Sequence, residues 1–181
     1  MNLPYRGHCI CSHGFESGPQ ATKVSTLAEA AQRLGWSTQC PDYTDLDARQ
    51  EVSPLGDVPQ RLQRLLDIAT EAAQRGPVVL AGSSLGAYIS AIASLHVPVC
   101  GLFLMVPPTQ MGSMPLLDAA PVPISIVHAW HDELIAPHEV ITWAQTRSAR
   151  LLLVNDGHRL NHHVHTCAQA FTQLLQAIEG K

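Results

Sequence analysis

A hydroxyl, a carboxylate and an imidazole stand in the chain order Ser84, Asp132, His158, each just beyond an apolar run. A serine hydroxyl is a poor nucleophile near neutral pH. It attacks a carbonyl when an imidazole takes its proton and a carboxylate holds that imidazole in the right tautomer. Ser84 lies in Gly82-Ser83-Ser84-Leu85-Gly86, which follows the apolar residues 78–81 and opens a helical pattern. G-x-S-x-G alone is a weak signal, because glycine and serine fill many turns. Between a strand and a helix it marks a sharp turn that presents the serine oxygen above a sheet. The competing reading is a tight strand–helix turn in which serine merely caps the helix. Ser83, at the variable position, reads as an ordinary turn residue.

The carboxylate has rivals. Glu133 is adjacent to Asp132 and reads as a solvated residue at a helix entry, while Asp156 reads as a cap or shaper of the last turn. Asp132 is favoured because the end of a strand lets it reach the outer face of the imidazole. His158 belongs to a tract with His162, His163 and His165, and the four-residue spacing of the first two raises a metal site as an alternative. The tract has no H-E-x-x-H and no carboxylate completing a ligand set, so no metal is expected. The other three histidines are placed on the final helix, some of them exposed. His13 reads as a shaper of the His13-Gly14 turn.

Whole-chain properties narrow the classes. The 181 residues carry a formal charge of −4, and the scattered lysines and arginines form no basic stripe of the kind nucleic-acid binding requires. The N-terminal MNLPYRGHCICSHG lacks the apolar core and cleavage site of a secretory leader. No apolar run approaches the ~18 residues of a membrane span. Cys9, Cys11, Cys40, Cys100 and Cys167 form no C-x-x-C pair and read as buried, reduced thiols. A cytoplasmic protein is expected.

Strand and helix signals alternate along the chain. Strands are predicted over residues 8–12, 37–41 (weakly), 78–81, 99–106, 124–130 and 151–154. Helical spacing joins Val24, Leu27, Ala28, Ala31 and Leu34, and again Leu62, Leu65, Leu66, Ala69 and Ala72 behind a cap at Asp57. Further helices are expected over 85–95, 138–146 and about 161–178, and residues 42–54 read as an irregular loop. Apolar strands alternating with helices indicate a parallel sheet covered on both faces. The expectation is one α/β domain over residues 1–181 with about six strands. In such sheets ligands bind beyond the carboxyl ends of the strands, the rim to which Ser84, Asp132 and His158 project.

On Ser12-His13-Gly14-Phe15, GSSLG at 82–86, HAWHDELIAP at 128–137 and NDGHRL at 155–160, the chain resembles small α/β-hydrolase-fold serine hydrolases. It is similar to the lid-less bacterial esterases and thioesterases among them, over nearly its whole length. The resemblance implies Ser84 as nucleophile, Asp132 as acid and His158 as base. It also implies an oxyanion hole made by the backbone N–H groups of Phe15 and Leu85. The chain lacks room for the two strands that precede the HG-bearing strand in the full family sheet. Ala129 stands where the family often has glycine, and Pro137 lies one residue further from the acid than is usual.

The expected activity is hydrolysis of a small carboxylic ester or thioester through an acyl-enzyme on Ser84, without cofactor or metal and without a separate cap or lid. The alternatives are a peptidase of the same fold and a non-catalytic interaction module that keeps the fold and binds a partner at its rim. Met105, Met111, Met114, Leu116 and Leu117, in or beside residues 107–123, fit either ordinary packing or an adaptable wall for an acyl chain.

Overall fold

The apolar runs that punctuate the chain become the strands of one sheet. The computed structural model describes residues 5–180; the leader expectation falls partly on residues 1–4, outside that range. The strands are β1 (Gly7–Ser12), β2 (Trp36–Gln39), β3 (Val78–Ser83), β4 (Gly101–Met105), β5 (Ile124–Ala129) and β6 (Arg150–Val154). They lie in the order β2-β1-β3-β4-β5-β6, and every neighbouring pair is parallel. The helices are α1 (Thr22–Gln32), α2 (Thr44–Asp47), α3 (Val58–Ala73), α4 (Leu85–Ala93), α5 (Pro137–Thr146) and α6 (Val164–Glu179). No helix of the described residues is long and apolar enough to cross a membrane.

Successive side chains of a strand point to opposite faces, so a continuous apolar run feeds two cores at once. On one face Ile10, Leu80, Leu102, Leu104 and Ile126 pack against Leu65 and Ala69 of α3, Tyr88 and Ile89 of α4 and Val140 of α5. On the other, Cys9, Cys11, Val79, Ala81, Phe103 and Val127 pack against Val24 and Leu27 of α1 and Phe171 and Leu175 of α6. Each fully buried Leu, Ile or Phe contributes roughly 1.5–3 kcal/mol. The sheet therefore presents its carboxyl rim as a rigid platform.

The chain leaves β1 toward β2 on one side and later returns to β3 on the other. A crevice opens where strand order reverses, and residues after β1 and β3 face each other across it.

Four local expectations are corrected. Residues 42–54 are not wholly irregular: Asp42 Oδ1 accepts from Thr44 N at 2.9 Å and Thr44 Oγ1 at 2.8 Å, and the short α2 follows, burying Leu46. The last strand is not buried on both faces; β6 is an edge, with Leu152 exposed. The final helix starts at Val164, so only His165 of the three histidines lies on it. His162 and His163 instead belong to a turn built on Asp156, whose carboxylate accepts from His162 N at 2.9 Å and lies 3.0 Å from His163 Nδ1. Among the thiols, Cys9, Cys11 and Cys167 are buried while Cys40 and Cys100 are half-buried, and all five are free. Asp57 does cap α3, accepting from Gln60 N at 3.2 Å.

Candidate active site

The turn at Ser84 shows why two glycines flank it. A Cβ on Gly82 would sit 2.3 Å from the backbone of Gly86, and one on Gly86 would sit 2.1 Å from Ser12 O. Strand β3, the start of α4 and the end of β1 thus touch backbone to backbone. Ser84 between them adopts φ 53° and ψ −120°, and its amide donates to Met105 O at 2.9 Å. A non-glycine residue there costs roughly 1–3 kcal/mol and persists where its surroundings over-determine it. Among the described residues five non-glycine residues have positive φ, and four of them, Glu16, Ser84, Val106 and Leu160, follow β1, β3, β4 and β6 around the same rim.

Asp132 follows β5. Its Oδ1 accepts from the amides of Leu134 (2.9 Å) and Ile135 (2.8 Å), and its side chain is fully buried. Burial raises the carboxyl pKa, but hydrogen bonds from His158 and from those amides outweigh it and hold the group below its ordinary range. The carboxylate lies 3.0 and 2.8 Å from His158 Nδ1. A proton on Nδ1 faces Asp132, so Nε2 is left as the acceptor, and it lies 2.9 Å from Ser84 Oγ. The hydroxyl donates to it. Ser84, His158 and Asp132 are one hydrogen-bonded chain.

The rivals of Asp132 have other work. Asp156 is turned toward its own loop, accepting from Gly157 N at 2.9 Å as well as from His162. Glu133 Oε2 accepts from His158 N at 3.1 Å, so adjacent carboxylates hold the ring and the peptide of one histidine. Reading Glu133 as merely solvated missed this partner, which no spacing signals. His128 was also missed. It is fully buried on β5 and donates from Nε2 to Ile135 O at 3.1 Å, closing the loop that carries Asp132. Burial lowers its pKa, so it is a neutral strut.

The turn after β1 completes the rim. His13 Nδ1 lies 2.7 Å from Gly14 O, and Nε2 lies 3.1 Å from the Tyr43 amide that donates to it. That pattern requires the neutral tautomer with its proton on Nδ1, and burial lowers the pKa in agreement. Neither Phe15 N–H nor Leu85 N–H has a hydrogen-bond acceptor among the described residues. Both line, with Ser84 and His158, a cleft of about 720 Å³. Of the Met and Leu residues considered as an acyl wall, Met111 lines the cleft. Met105 and Leu117 are buried in the cores, Met114 packs against one core, and Leu116 is exposed. Among the described residues no three His, Cys, Asp or Glu side chains are grouped to hold a metal ion.

A parallel sheet of this order, with a carboxylate, an imidazole and a strained serine on its carboxyl rim, is the architecture of α/β hydrolases. A crystal structure from Xanthomonas campestris pv. campestris, assigned to the α/β superfamily of hydrolases, is 67% identical, with a TM-score of 0.94 over 95% of this chain and 99% of that one. The chain belongs to the α/β-hydrolase superfamily. More distant structures share the fold. A member of the α/β serine hydrolases without lid from Xanthomonas campestris is 15% identical, with a TM-score of 0.72 over 97% of this chain and 84% of that one. Est1E from Butyrivibrio proteoclasticus is 16% identical, with a TM-score of 0.77 over 98% and 90%. No protein-family model and no curated protein matches the chain.

Proposed function

We propose that the chain is a serine hydrolase acting on a small carboxylic ester or thioester, with Ser84, His158 and Asp132 as its catalytic triad. The observation that carries this reading is the 2.9 Å approach of His158 Nε2 to Ser84 Oγ with Asp132 2.8 Å behind the ring. Ser84 Oγ bonds to the carbonyl carbon as His158 takes its proton. The amides of Phe15 and Leu85 stabilise the resulting oxyanion, Leu85 with the positive end of α4 behind it. Collapse breaks the bond to the leaving alcohol or thiol, which receives the proton from His158. Water then gives its proton to His158 and attacks the acyl carbon, and collapse breaks the bond to Ser84 Oγ, which takes that proton back from His158 as the acid leaves. A full set of three groups in register disfavours the binding-module reading, since binding alone needs none of that alignment. A peptidase shares the triad and is separated by substrate profiling.

The test is labelling by a fluorophosphonate together with a panel of p-nitrophenyl esters, acyl-CoA thioesters and aminoacyl amides. Covalent labelling at Ser84 with ester or thioester turnover is expected. Folded protein that neither labels nor turns over would favour the binding module.

The acid assignment makes its own prediction. Asp132→Asn should lower kcat by roughly 10⁴-fold, because the amide no longer fixes the imidazole tautomer. Glu133→Gln should be mild, since the amide oxygen still accepts from His158 N. If Glu133→Gln or Asp156→Asn costs more kcat than Asp132→Asn, the acid has been misassigned.

Site shape supports small, soluble substrates. Residues 106–123 contain no helix and are tied down: Tyr88 Oη donates to Pro115 O at 2.7 Å, Trp143 Nε1 to Leu117 O at 2.9 Å and Ala120 N to Ser94 Oγ at 2.9 Å. So tethered a segment makes a poor mobile lid. Each methylene added to the acyl chain should then improve kcat/KM by less than the ~0.8 kcal/mol of full burial. Measuring C2 to C16 esters below their aggregation limits checks this. A steep rise to the longest chains, or activation by lipid droplets, would reveal a deep acyl tunnel or a lid.

A further inference from the structure

We infer that Arg61 and Asp47 form a buried clamp that aims the Phe15 amide into the oxyanion hole, making Arg61 a positioning residue for the hydrolysis proposed above. Arg61 lies in the first turn of α3 and is fully buried, the largest side chain so enclosed. Its Nη2 donates to His13 O at 2.9 Å and reaches Gly14 O at 3.5 Å. Its Nε stands 3.3 Å from Asp47 Oδ1, and the guanidinium lies 4.4 Å above the centre of the Tyr43 ring. The other carboxylate oxygen of Asp47 accepts from Glu16 N at 3.2 Å. One ion pair therefore grips the turn on both sides of Phe15, by two carbonyls before it and one amide after it.

The geometry of a trans peptide converts that grip into aim. Gly14 C=O and Phe15 N–H belong to one planar unit and point in opposite directions. With Gly14 O held on the Arg61 side by Nη2 and by His13 Nδ1 at 2.7 Å, the Phe15 N–H must point the other way. A flip of this peptide would replace the donor with a carbonyl, whose negative end would face the developing oxyanion.

Stability does not explain the arrangement. Buried ion pairs are often replaceable by apolar residues without loss, because desolvating both charges offsets their attraction. Here Arg61 Nη1 has no hydrogen-bond partner among the described residues, and the Nε–Oδ1 contact is misaligned for a hydrogen bond. An apolar side chain at 61 would fill the space, yet would leave His13 O without its donor and Gly14 O with His13 Nδ1 alone.

The experiment compares wild type, Arg61→Met and Arg61→Lys with p-nitrophenyl butyrate, per active site counted by burst titration. Alongside kcat, KM and Tm it measures the affinity of a trifluoromethyl ketone, which adds to Ser84 and leaves its oxyanion in the hole. Arg61→Met should lower kcat about 10–100-fold with KM nearly unchanged, as expected when a donor is misplaced by about an ångström. Affinity for the ketone should fall in the same proportion. Arg61→Lys, which restores a single charged donor, should recover part of both. Kcat and ketone affinity unchanged in Arg61→Met, whatever its Tm, would overturn the clamp. If that variant does not fold, Arg61→Lys is read the same way, and wild-type values in it overturn the clamp equally. A wild type that neither labels nor turns over would instead overturn the hydrolase reading, and the clamp's role with it.

Discussion

Replacing Ser84 with alanine should lower kcat by roughly 10⁴-fold or more while the fold stays intact. The hydroxyl proton already points at His158 Nε2 across 2.9 Å, and the amide of residue 84 is fixed to Met105 O. Alanine keeps the Cβ, so the backbone at φ 53° is neither relieved nor further strained. What disappears is the one oxygen placed to attack. His158→Ala should be nearly as damaging, because nucleophile and base act as a unit. Ser83→Ala should be mild, since that side chain is buried at the end of β3, away from the imidazole's hydrogen bonds. Steady-state kinetics with a p-nitrophenyl ester, beside circular dichroism, checks all three. Near-wild-type turnover by folded Ser84→Ala would end the acyl-enzyme reading.

Gly86→Ala should fail to fold. Its Cβ would lie 2.1 Å from Ser12 O and 2.6 Å from both Ser12 C and His13 O, all backbone atoms that no rotamer change can move aside. Relief requires β1 and α4 to part, and both are wedged between layers of the core. The cost should exceed roughly 4–5 kcal/mol, comparable with the lower end of the 5–15 kcal/mol that holds a domain together. Gly18→Ala is the control, because nothing lies within 4 Å of a Cβ there. Soluble yield and urea denaturation give the readout. A Gly86→Ala protein with a denaturation midpoint near wild type would show that this backbone crossing is looser than the structure has it.

What the sequence made legible was what local chemistry dictates. Strands with apolar side chains on both faces read as unbroken runs, so β1, β3, β4 and β5 were recognisable without a partner. Ser84, Asp132 and His158 could be ranked because each follows such a run. Arg61, His128 and Glu133 could not, because their significance lies in carbonyls and amides that only folding brings near. Arg61 in particular shares the helix face of Leu65, Ala69 and Ala72 and is fully buried there, but spacing alone does not show which loop carbonyls it meets. Asp132 is favoured over Asp156 by its place at the end of a strand. In the structure Asp132 faces the imidazole, while Asp156 turns back to its own loop. The start of α6 was misjudged for the same reason, since side-chain bonds to Asp156 draw residues 162 and 163 out of the helix.

The left-handed backbone at Ser84 sets the interests of the fold against those of the reaction. Glycine adopts that conformation freely, whereas serine costs roughly 1–3 kcal/mol there. The most durable version of this protein is therefore one with glycine at position 84 and no nucleophile. The nucleophile role proposed above would account for a serine at a position where the backbone favours glycine.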